Sequence, residues 1–259
     1  MRVSISRPDI MMVGAISAGS LWITGGESQI ERFLNGDFIS ATPEPFYPEA
    51  MGKYILASID GNDGFKKHEA QYWLLYRGTL DVLLAEGSAR GHGGTIIIIP
   101  DRRIEEFRDL FSATYSLADN FHLESIIDRL MSQRSSHMLD LALRKHCPER
   151  IEALAQLSCI DGALLLSTRL KVVSFGSVLK APTWKGEILI GPDGFGGGGA
   201  KFDVSKLGAR HKSGVNFIGA CQGCYGFVIS QDGPIRGFVR KERDTILCWP
   251  DCNVSMFVK

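Results

Sequence analysis

The sequence predicts an α/β protein of the α+β type, in which a mixed β-sheet is flanked by helices and preceded by a small β-rich extension. The first observation is Thr95, followed by four isoleucines and ended by Pro100, a pattern typical of a strand buried on both faces. The second is a helical repeat of apolar residues over 72–86, closed by Gly87. The third is the irregular order of helices, strands and a hairpin, which indicates a mixed sheet covered by helices.

The composition is that of an ordinary globular chain. Its 259 residues are 44% apolar and 22% charged, which allows one large domain or one domain with a sizeable extension. Lys plus Arg and Asp plus Glu both number 29, so the zero net charge favours neither duplex nucleic acid nor a membrane surface as a partner. No apolar run reaches the length of about 18 residues that a membrane span needs, so we expect a cytoplasmic protein.

Three regions are predicted along the chain. Residues 1–71 combine short apolar segments with glycine, proline and asparagine turns, which predicts an N-terminal β-rich extension. Residues 72–245 form the main domain, in which apolar residues at helical spacing predict a helical insert over 101–157. Residues 246–259 are predicted to be a C-terminal tail.

Within the main domain, a glycine turn joins helix 72–86 to strand 95–99, and Pro148 restarts a helix near the end of the insert. The strand 160–166 that follows is entered through an Asp-Gly pair. The remaining predicted elements are strands 172–173 and 187–190, a glycine-rich loop 191–200, a helix from Gly208, strand 225–230 and its hairpin partner 235–239.

The glycine-rich loop contains a formal match to the dinucleotide-binding spacing at Gly194, Gly196 and Gly199. That motif requires a helix immediately after its last glycine and an acidic residue about 20 positions later. Lys201 and Phe202 begin a poor helix, and the region near position 220 is uncharged. A surface loop is therefore the better interpretation.

The cysteines offer a second alternative. Six are present, too few for a disulfide scaffold in a chain of this length. Cys221, Cys224, Cys248 and Cys252 have a spacing compatible with a four-thiolate zinc site. Cys221 and Cys224 lie among apolar residues, however, where free cysteine behaves as a small hydrophobic side chain, and this interpretation is the stronger one.

Two short segments carry the most informative chemistry, an Asp-Gly-Ala at 161–163 and an Arg-His-Lys at 210–212. An aspartate at the start of a strand can hold a divalent metal, and the adjacent glycine allows a ligand to approach the backbone. A basic segment at the start of a helix adds cations to N–H groups that already favour phosphate. Together they suit a metal-bound triphosphate, although separately they also fit a turn and a solvated face.

These segments, in this order, resemble the diadenylate cyclase (DAC) domain superfamily, whose members condense two ATP molecules into cyclic di-AMP. The resemblance covers roughly residues 72–240. Its landmarks are the helix, turn and strand at 80–99, the Asp-Gly-Ala strand at 160–166, residues 208–214 against the family's Gly-Thr-Arg-His-Arg-Ala-Ala, and residues 228–232 against its Val-Val-Ser-Glu-Glu. It implies a DAC-like nucleotide-binding domain.

The resemblance also implies roles for individual residues. Asp161 would bind Mg²⁺ or Mn²⁺ and, in an active enzyme, be the catalytic residue that activates the ribose hydroxyl. The implied nucleotide-binding residues are Asp161, Gly162, Ala163, Arg210, His211 and Lys212. Catalysis would need two protomers face to face, each presenting one ATP, and hence a homo-oligomer.

Two departures from the family pattern bear on activity. Lys212 replaces an arginine and loses its forked hydrogen-bonding geometry. Gln231 replaces a carboxylate that binds metal in the family, although Asp232 could substitute for it. These features look more like the diverged DACNV-type domains, which are thought to sense a nucleotide. The hypotheses are therefore a sensor of an adenine nucleotide or cyclic dinucleotide, an active diadenylate cyclase, and a protein-interaction module without ligand.

Overall fold

A computed structural model describes most of the second half of the chain and parts of the first. The described residues are 12–17, 20–25, 29–34, 37–41, 49–58, 69–112, 115–117, 148–192, 198–231 and 234–252. The chain divides into two compact units, Met1–Pro45 and Phe46–Val258. No described helix combines the length and apolar character needed to cross a membrane.

The first unit contains a four-stranded antiparallel sheet in which each strand pairs with the next along the chain. Its strands are β1 (Met12–Ser17), β2 (Ser20–Gly25), β3 (Gln29–Leu34) and β4 (Asp37–Ala41). The short strands expected in this part of the chain are confirmed.

The second unit begins with a helix, α1 (Glu49–Ser58), within the range that the sequence analysis assigned to a β-rich extension. The nearby prolines suggested turns, but the segment itself is free of proline and rich in helix-forming residues. Met51 and Ile55, one helical turn apart, are both fully buried. Their packing against the main sheet accounts for the helix.

The second unit is built on an eight-stranded mixed sheet, which confirms the predicted fold class. The strand order is β6-β8-β7-β5-β10-β11-β12-β9, with β5–β7 and β12–β9 parallel and the other pairs antiparallel. The strands are β5 (Gly94–Ile99), β6 (Phe111–Ser112), β7 (Ala163–Ser167), β8 (Val172–Leu179), β9 (Glu187–Ile190), β10 (Tyr225–Ile229), β11 (Ile235–Glu242) and β12 (Thr245–Cys252).

Helices cover both faces of this sheet. The remaining three are α2 (Glu69–Ala89), α3 (Pro148–Ser158) and α4 (Ala209–Ala220). Ile96 and Ile98 of β5 join a core with α1, α2 and α3, whereas Ile97 and Ile99 join a second core with α4. All four isoleucines are fully buried, and each contributes about 1.5–3 kcal/mol by leaving water. The predicted central strand is therefore confirmed as an element of both cores.

In the helical insert predicted over 101–157, the first described residues form 3₁₀ turns rather than an α-helix. Asp101–Arg103 and Glu105–Leu110 are 3₁₀ turns, and Phe111 then enters β6. The buried Phe107 and Phe111 anchor this segment to the core that contains α4. Helix α3 begins at Pro148 as predicted, and residues 118–147 lie outside the described residues.

The C-terminal tail predicted from residue 246 is wrong for residues 246–252, which lie in β12. Pro250 lies within this strand although it cannot donate a backbone hydrogen bond. Ile235 pairs with Cys252 and Gly237 with Trp249, so a single β11 residue, Arg236, faces two residues of β12. This bulge accommodates the proline, which is the position in a sheet where proline is tolerated.

Candidate functional site

A cavity of about 640 Å³ lies at one edge of the eight-stranded sheet. Because β8 and β10 run antiparallel to β7 and β5, the ends of the former lie beside the starts of the latter. The start of α4 completes the wall. The lining residues are Thr95, Asp161, Gly162, Ala163, Ser177, Val178, Leu179, Gly208, Ala209, Arg210, His211, Ser213, Ile229, Ser230 and Gln231. Five of the six residues implied in nucleotide binding are among them, and Lys212 is not.

Asp161 and Arg210 meet at this cavity although they are 49 positions apart in the sequence. The Arg210 Nη2 donates a hydrogen bond to Asp161 Oδ1 over 3.2 Å. The Asp161 side chain is fully exposed and that of Arg210 is 40% exposed. A solvated pair of this kind contributes little to folding, typically under about 1 kcal/mol, and can exchange its partner for a ligand.

Gly162 has a structural role in addition to the ligand approach that the sequence suggested. Its φ of +111° disfavours residues with a side chain, and an added Cβ would lie 2.5 Å from the carbonyl carbon of Gly176. The backbone of β8 thus fills the space where a side chain of residue 162 would lie, while Gly162 itself also lines the cavity. The glycine allows β7 and β8 to approach closely, which fixes Asp161 at the cavity.

The start of α4 faces the same cavity without a side-chain cap. Its N-cap residue is Gly208, which has no side chain to bond the first N–H groups. The N–H groups of His211 and Lys212 instead donate to the Gly208 carbonyl, over 3.1 and 3.3 Å. A helix start that lacks a cap carries partial positive charge and offers backbone donors to an anion. Arg210 adds a full positive charge at this point.

His211 lies at the inner side of the cavity and is only 7% exposed. Its Nε2 is 3.0 Å from Arg236 Nη1 and 3.5 Å from Ser230 Oγ. Burial and the nearby Arg236 charge lower the pKa of His211 to about 4, so the ring is neutral at neutral pH. The same Arg236 Nη1 donates to Ser230 Oγ over 3.0 Å. We call His211, Ser230 and Arg236 the buried cluster.

Lys212 is exposed and lines a separate cavity of about 570 Å³, together with Trp184 and Asn216. Successive helix residues point about 100° apart, so one basic triplet cannot direct all three side chains to one site. The Arg-His-Lys segment therefore divides into two cavity residues and one that faces elsewhere.

The metal ligands expected from the sequence are only partly described. Asp161 and Gln231 both line the cavity, whereas Asp232 lies outside the described residues. Within those residues, no three His, Cys, Asp or Glu side chains cluster as a metal site. Mg²⁺ is commonly held by one or two carboxylates together with substrate phosphates. Asp161 fits that arrangement only with a phosphate ligand present.

The four cysteines do not form one set. Cys221, Cys224 and Cys248 lie in the core that contains α4, whereas Cys252 lies in the core on the opposite face. All four are buried, and burial raises the thiol pKa of Cys224, Cys248 and Cys252. They pack as hydrophobic residues. Gly194 and Gly196 of the dinucleotide-like spacing lie outside the described residues.

Sequence reasoning missed Arg236 and the site role of Ser230. The only available signal for Arg236 was an arginine in an otherwise apolar stretch between Ile235 and Val239. Such a residue in a strand usually faces solvent, and the sequence does not show that it reaches His211. That contact depends on the antiparallel pairing that places β11 beside β10.

Comparison with known proteins finds similarity among solved structures alone. No family model matches this chain, and no curated protein matches it. Among solved structures, it is similar to a double cysteine mutant of DacA from Staphylococcus aureus, with 14% sequence identity and a TM-score of 0.34. The match covers 71% of this chain and 88% of that chain. Likeness at this level does not assign a family.

Proposed function

We propose that the second unit is a nucleotide-binding module that senses an adenine nucleotide or a cyclic dinucleotide. One observation carries the proposal. Asp161 and Arg210 meet at a cavity of about 640 Å³, beside a helix start without a side-chain cap. The choice of an adenine nucleotide comes from the DAC-like motifs that contain these two residues.

The chemistry of the cavity suits a phosphate group. Arg210 supplies a forked cation and α4 supplies backbone donors at its positive end, and both groups favour phosphate oxygens. Asp161 would repel a bare phosphate, but Mg²⁺ or Mn²⁺ brought by the nucleotide would join the carboxylate to the phosphates. The cavity volume is of the size that small-molecule sites have, about 300–1,000 Å³.

Gln231 favours binding without turnover. It lines the cavity at the position where the DAC pattern has a metal-binding carboxylate. A neutral amide is a poor ligand for a hard divalent cation, so the cation would be too weakly held to activate a hydroxyl. We therefore favour the sensor hypothesis over the active diadenylate cyclase and over the protein-interaction module.

The test is to incubate the full-length chain with ATP and Mg²⁺ or Mn²⁺, resolve the products by chromatography and mass spectrometry, and titrate ATP and cyclic di-AMP in parallel. Thermal unfolding of the same samples gives a second readout, because a ligand at 100 times its Kd adds about 2.7 kcal/mol of stability. Asp161→Asn removes the cavity carboxylate. Asp109→Asn, at an exposed position outside the cavity, is the matched control.

Each outcome selects one hypothesis. Saturable binding without product, weakened by Asp161→Asn and retained by Asp109→Asn, is the result expected for the sensor. Cyclic di-AMP that disappears in Asp161→Asn would identify an enzyme instead. Neither binding nor product, with no thermal shift, would reject nucleotide recognition and favour the interaction module.

A further inference from the structure

The buried cluster holds a positive charge behind the cavity wall. Arg236 lies on β11 at the bulge, and its guanidinium contacts His211 and Ser230, both of which line the cavity. Among the described residues, no carboxylate forms a salt bridge with this guanidinium. Its Nε is buried and has no hydrogen-bond partner there. A half-buried cation without a counter-ion is costly to fold, and an anion in the cavity would offset that cost.

The hydrogen bonds of Arg236 also fix the protons of its two neighbours. Arginine has only donors, so the contact of Arg236 Nη1 with His211 Nε2 requires that ring nitrogen to be the acceptor. Neutral His211 must therefore carry its proton on Nδ1. The second hydrogen of the same Nη1 group points to Ser230 Oγ.

Ser230 then keeps its own hydroxyl proton to donate. Within the described part of the chain, the acceptor that contacts its Oγ is His211 Nε2, 3.5 Å away, but Arg236 already occupies that lone pair at 3.0 Å. Ser230 lines the cavity, so its O–H is available to a ligand there. With Nδ1 also protonated, both neighbours of Arg236 have a hydrogen to donate, and such donors suit acceptor oxygens such as those of phosphate.

We propose that Arg236 is a positioning residue of this cavity, which holds His211 in its Nδ1–H form, leaves the Ser230 hydroxyl free to donate to the ligand and contributes a positive charge that no described carboxylate neutralises. This role deepens the nucleotide-binding function proposed above and rests on it. It makes the inner wall selective for anionic, acceptor-rich groups. The Asp-Gly-Ala and Arg-His-Lys segments supply only His211 to this selectivity, and Ser230 and Arg236 lie outside them.

The first measurement needs no ligand. Two-dimensional ¹⁵N NMR of the labelled full-length chain shows which ring nitrogen of each histidine is protonated, and loss of a signal in His211→Gln assigns the residue. We expect His211 to carry its proton on Nδ1. Arg236→Met, which keeps the side-chain length and removes the donors, should allow the Nε2–H form to appear. Arg236→Lys should retain the Nδ1–H form.

The second measurement is the affinity for ATP with Mg²⁺ and for cyclic di-AMP. We expect about a tenfold loss in Arg236→Met, the scale of one net hydrogen bond, and a smaller loss in Arg236→Lys. Arg240→Met is the matched control on the same strand, because Arg240 contacts Trp184 and the carbonyls of Glu242 and Arg243. It should change neither measurement.

Ser230→Ala separates positioning from folding if Arg236→Met does not fold. It leaves the Arg236–His211 contact in place, so the Nδ1–H form should persist while affinity falls. Protonation of His211 on Nε2 in the unmodified chain would overturn the proposal, as would full affinity in both Arg236→Met and Ser230→Ala. If the unmodified chain binds neither nucleotide, the proposed function fails, and the NMR result alone still decides whether Arg236 positions His211.

Discussion

Two polar groups line the same cavity and differ in almost every physical respect. The Asp161–Arg210 pair is solvated, oppositely charged and joined by a 3.2 Å contact between exposed side chains. In the buried cluster, His211 is buried, Ser230 and Arg236 are half-buried, and a neutral imidazole lies beside a cation. The first group can exchange partners at little cost, whereas the second has its protons fixed by packing.

For the function we propose, this difference predicts separate roles for the pair and the cluster. Exposed charges attract and release an anion, because their mutual attraction in water is weak. Buried donors fix the orientation of what has been attracted, because an unsatisfied group there is expensive. Mutations in the pair should therefore change affinity more than stability, and conditions that disturb the cluster should change stability as well.

The largest effect on stability should come from forcing apart β7 and β8, the strands that hold Asp161 at the cavity. Gly162→Ala places a Cβ against the Gly176 backbone and forces a positive φ on alanine. We expect a loss of about 3–5 kcal/mol in the free energy of unfolding, from backbone strain and overpacking together. Urea denaturation followed by circular dichroism measures it.

Gly91→Ala is the control for that variant. Gly91 has a φ of +67° and no neighbouring atom within 4 Å of an added Cβ, so only the backbone strain remains. We expect a loss of about 1 kcal/mol. Equal losses in the two variants would show that the close approach of β7 and β8 contributes nothing.

The next largest effect should come from acid, which destabilises the buried cluster by protonating His211. The pKa of His211 is about 4 in the folded chain and about 6.5 when unfolded, so between these values the unfolded state binds the extra proton. Stability contributed by neutral His211 is complete above pH 7 and declines as the pH falls through this window. The expected loss by pH 4 is about 3 kcal/mol.

The contribution of His211 is the difference between two pH profiles of unfolding free energy. His211→Gln retains an acceptor for Arg236 but does not titrate, so its profile should lack this decline while keeping the effects of every carboxylate. Parallel profiles for the two chains would mean that His211 is not held neutral by the fold.

Arg210→Ala tests the role of the exposed pair. We expect nucleotide binding to weaken by about 1.5–3 kcal/mol, the range for a hydrogen bond to a charged group. The unfolding free energy should change by less than about 0.5 kcal/mol, since the Arg210 contact with Asp161 is solvated. Isothermal titration calorimetry and urea denaturation report the two quantities. A large stability loss with unchanged affinity would reverse the assignment of roles.

The smallest effect concerns the start of α4. Gly208→Ser supplies the side-chain cap that the helix lacks, which should stabilise the chain by a few tenths of a kcal/mol. The same hydroxyl would occupy a backbone N–H that we assign to phosphate, so nucleotide affinity should fall. Thermal unfolding and binding titration would then change in opposite directions. A parallel gain in both would show that the ligand does not use these N–H groups.

The sequence predicted most of this fold because its strongest local patterns agree with the tertiary structure. The isoleucine run became a central strand, and the helix predicted over 72–86 extends to Glu69–Ala89. The last strand was missed because its residues were assigned to a tail, and only pairing with β11 shows that a bulge accommodates Pro250.

For the candidate site, the sequence indicated which residues to expect, and the structure shows which of their side chains meet. The short motifs pointed to Asp161 and Arg210, which the structure brings together. They grouped Lys212 with Arg210 because the two are adjacent in the chain, although helical geometry separates them. The role of Arg236 could not be predicted from the sequence, because Arg236 and His211 are 25 positions apart and their contact depends on strand register.

The order of strands in the main sheet has a consequence for how the chain folds. Strand β5 pairs on one side with β7, so that Ile96 faces Leu164, and on the other with β10, so that Ile96 faces Phe227. Contacts between such distant segments close long loops, and they tend to form slowly. The cavity takes walls from all three of these strands, so it is complete only after the longest loops have closed. A nascent chain that ends before β10 would lack one wall of the cavity, and the cavity would be complete only once nearly the whole unit has been synthesised.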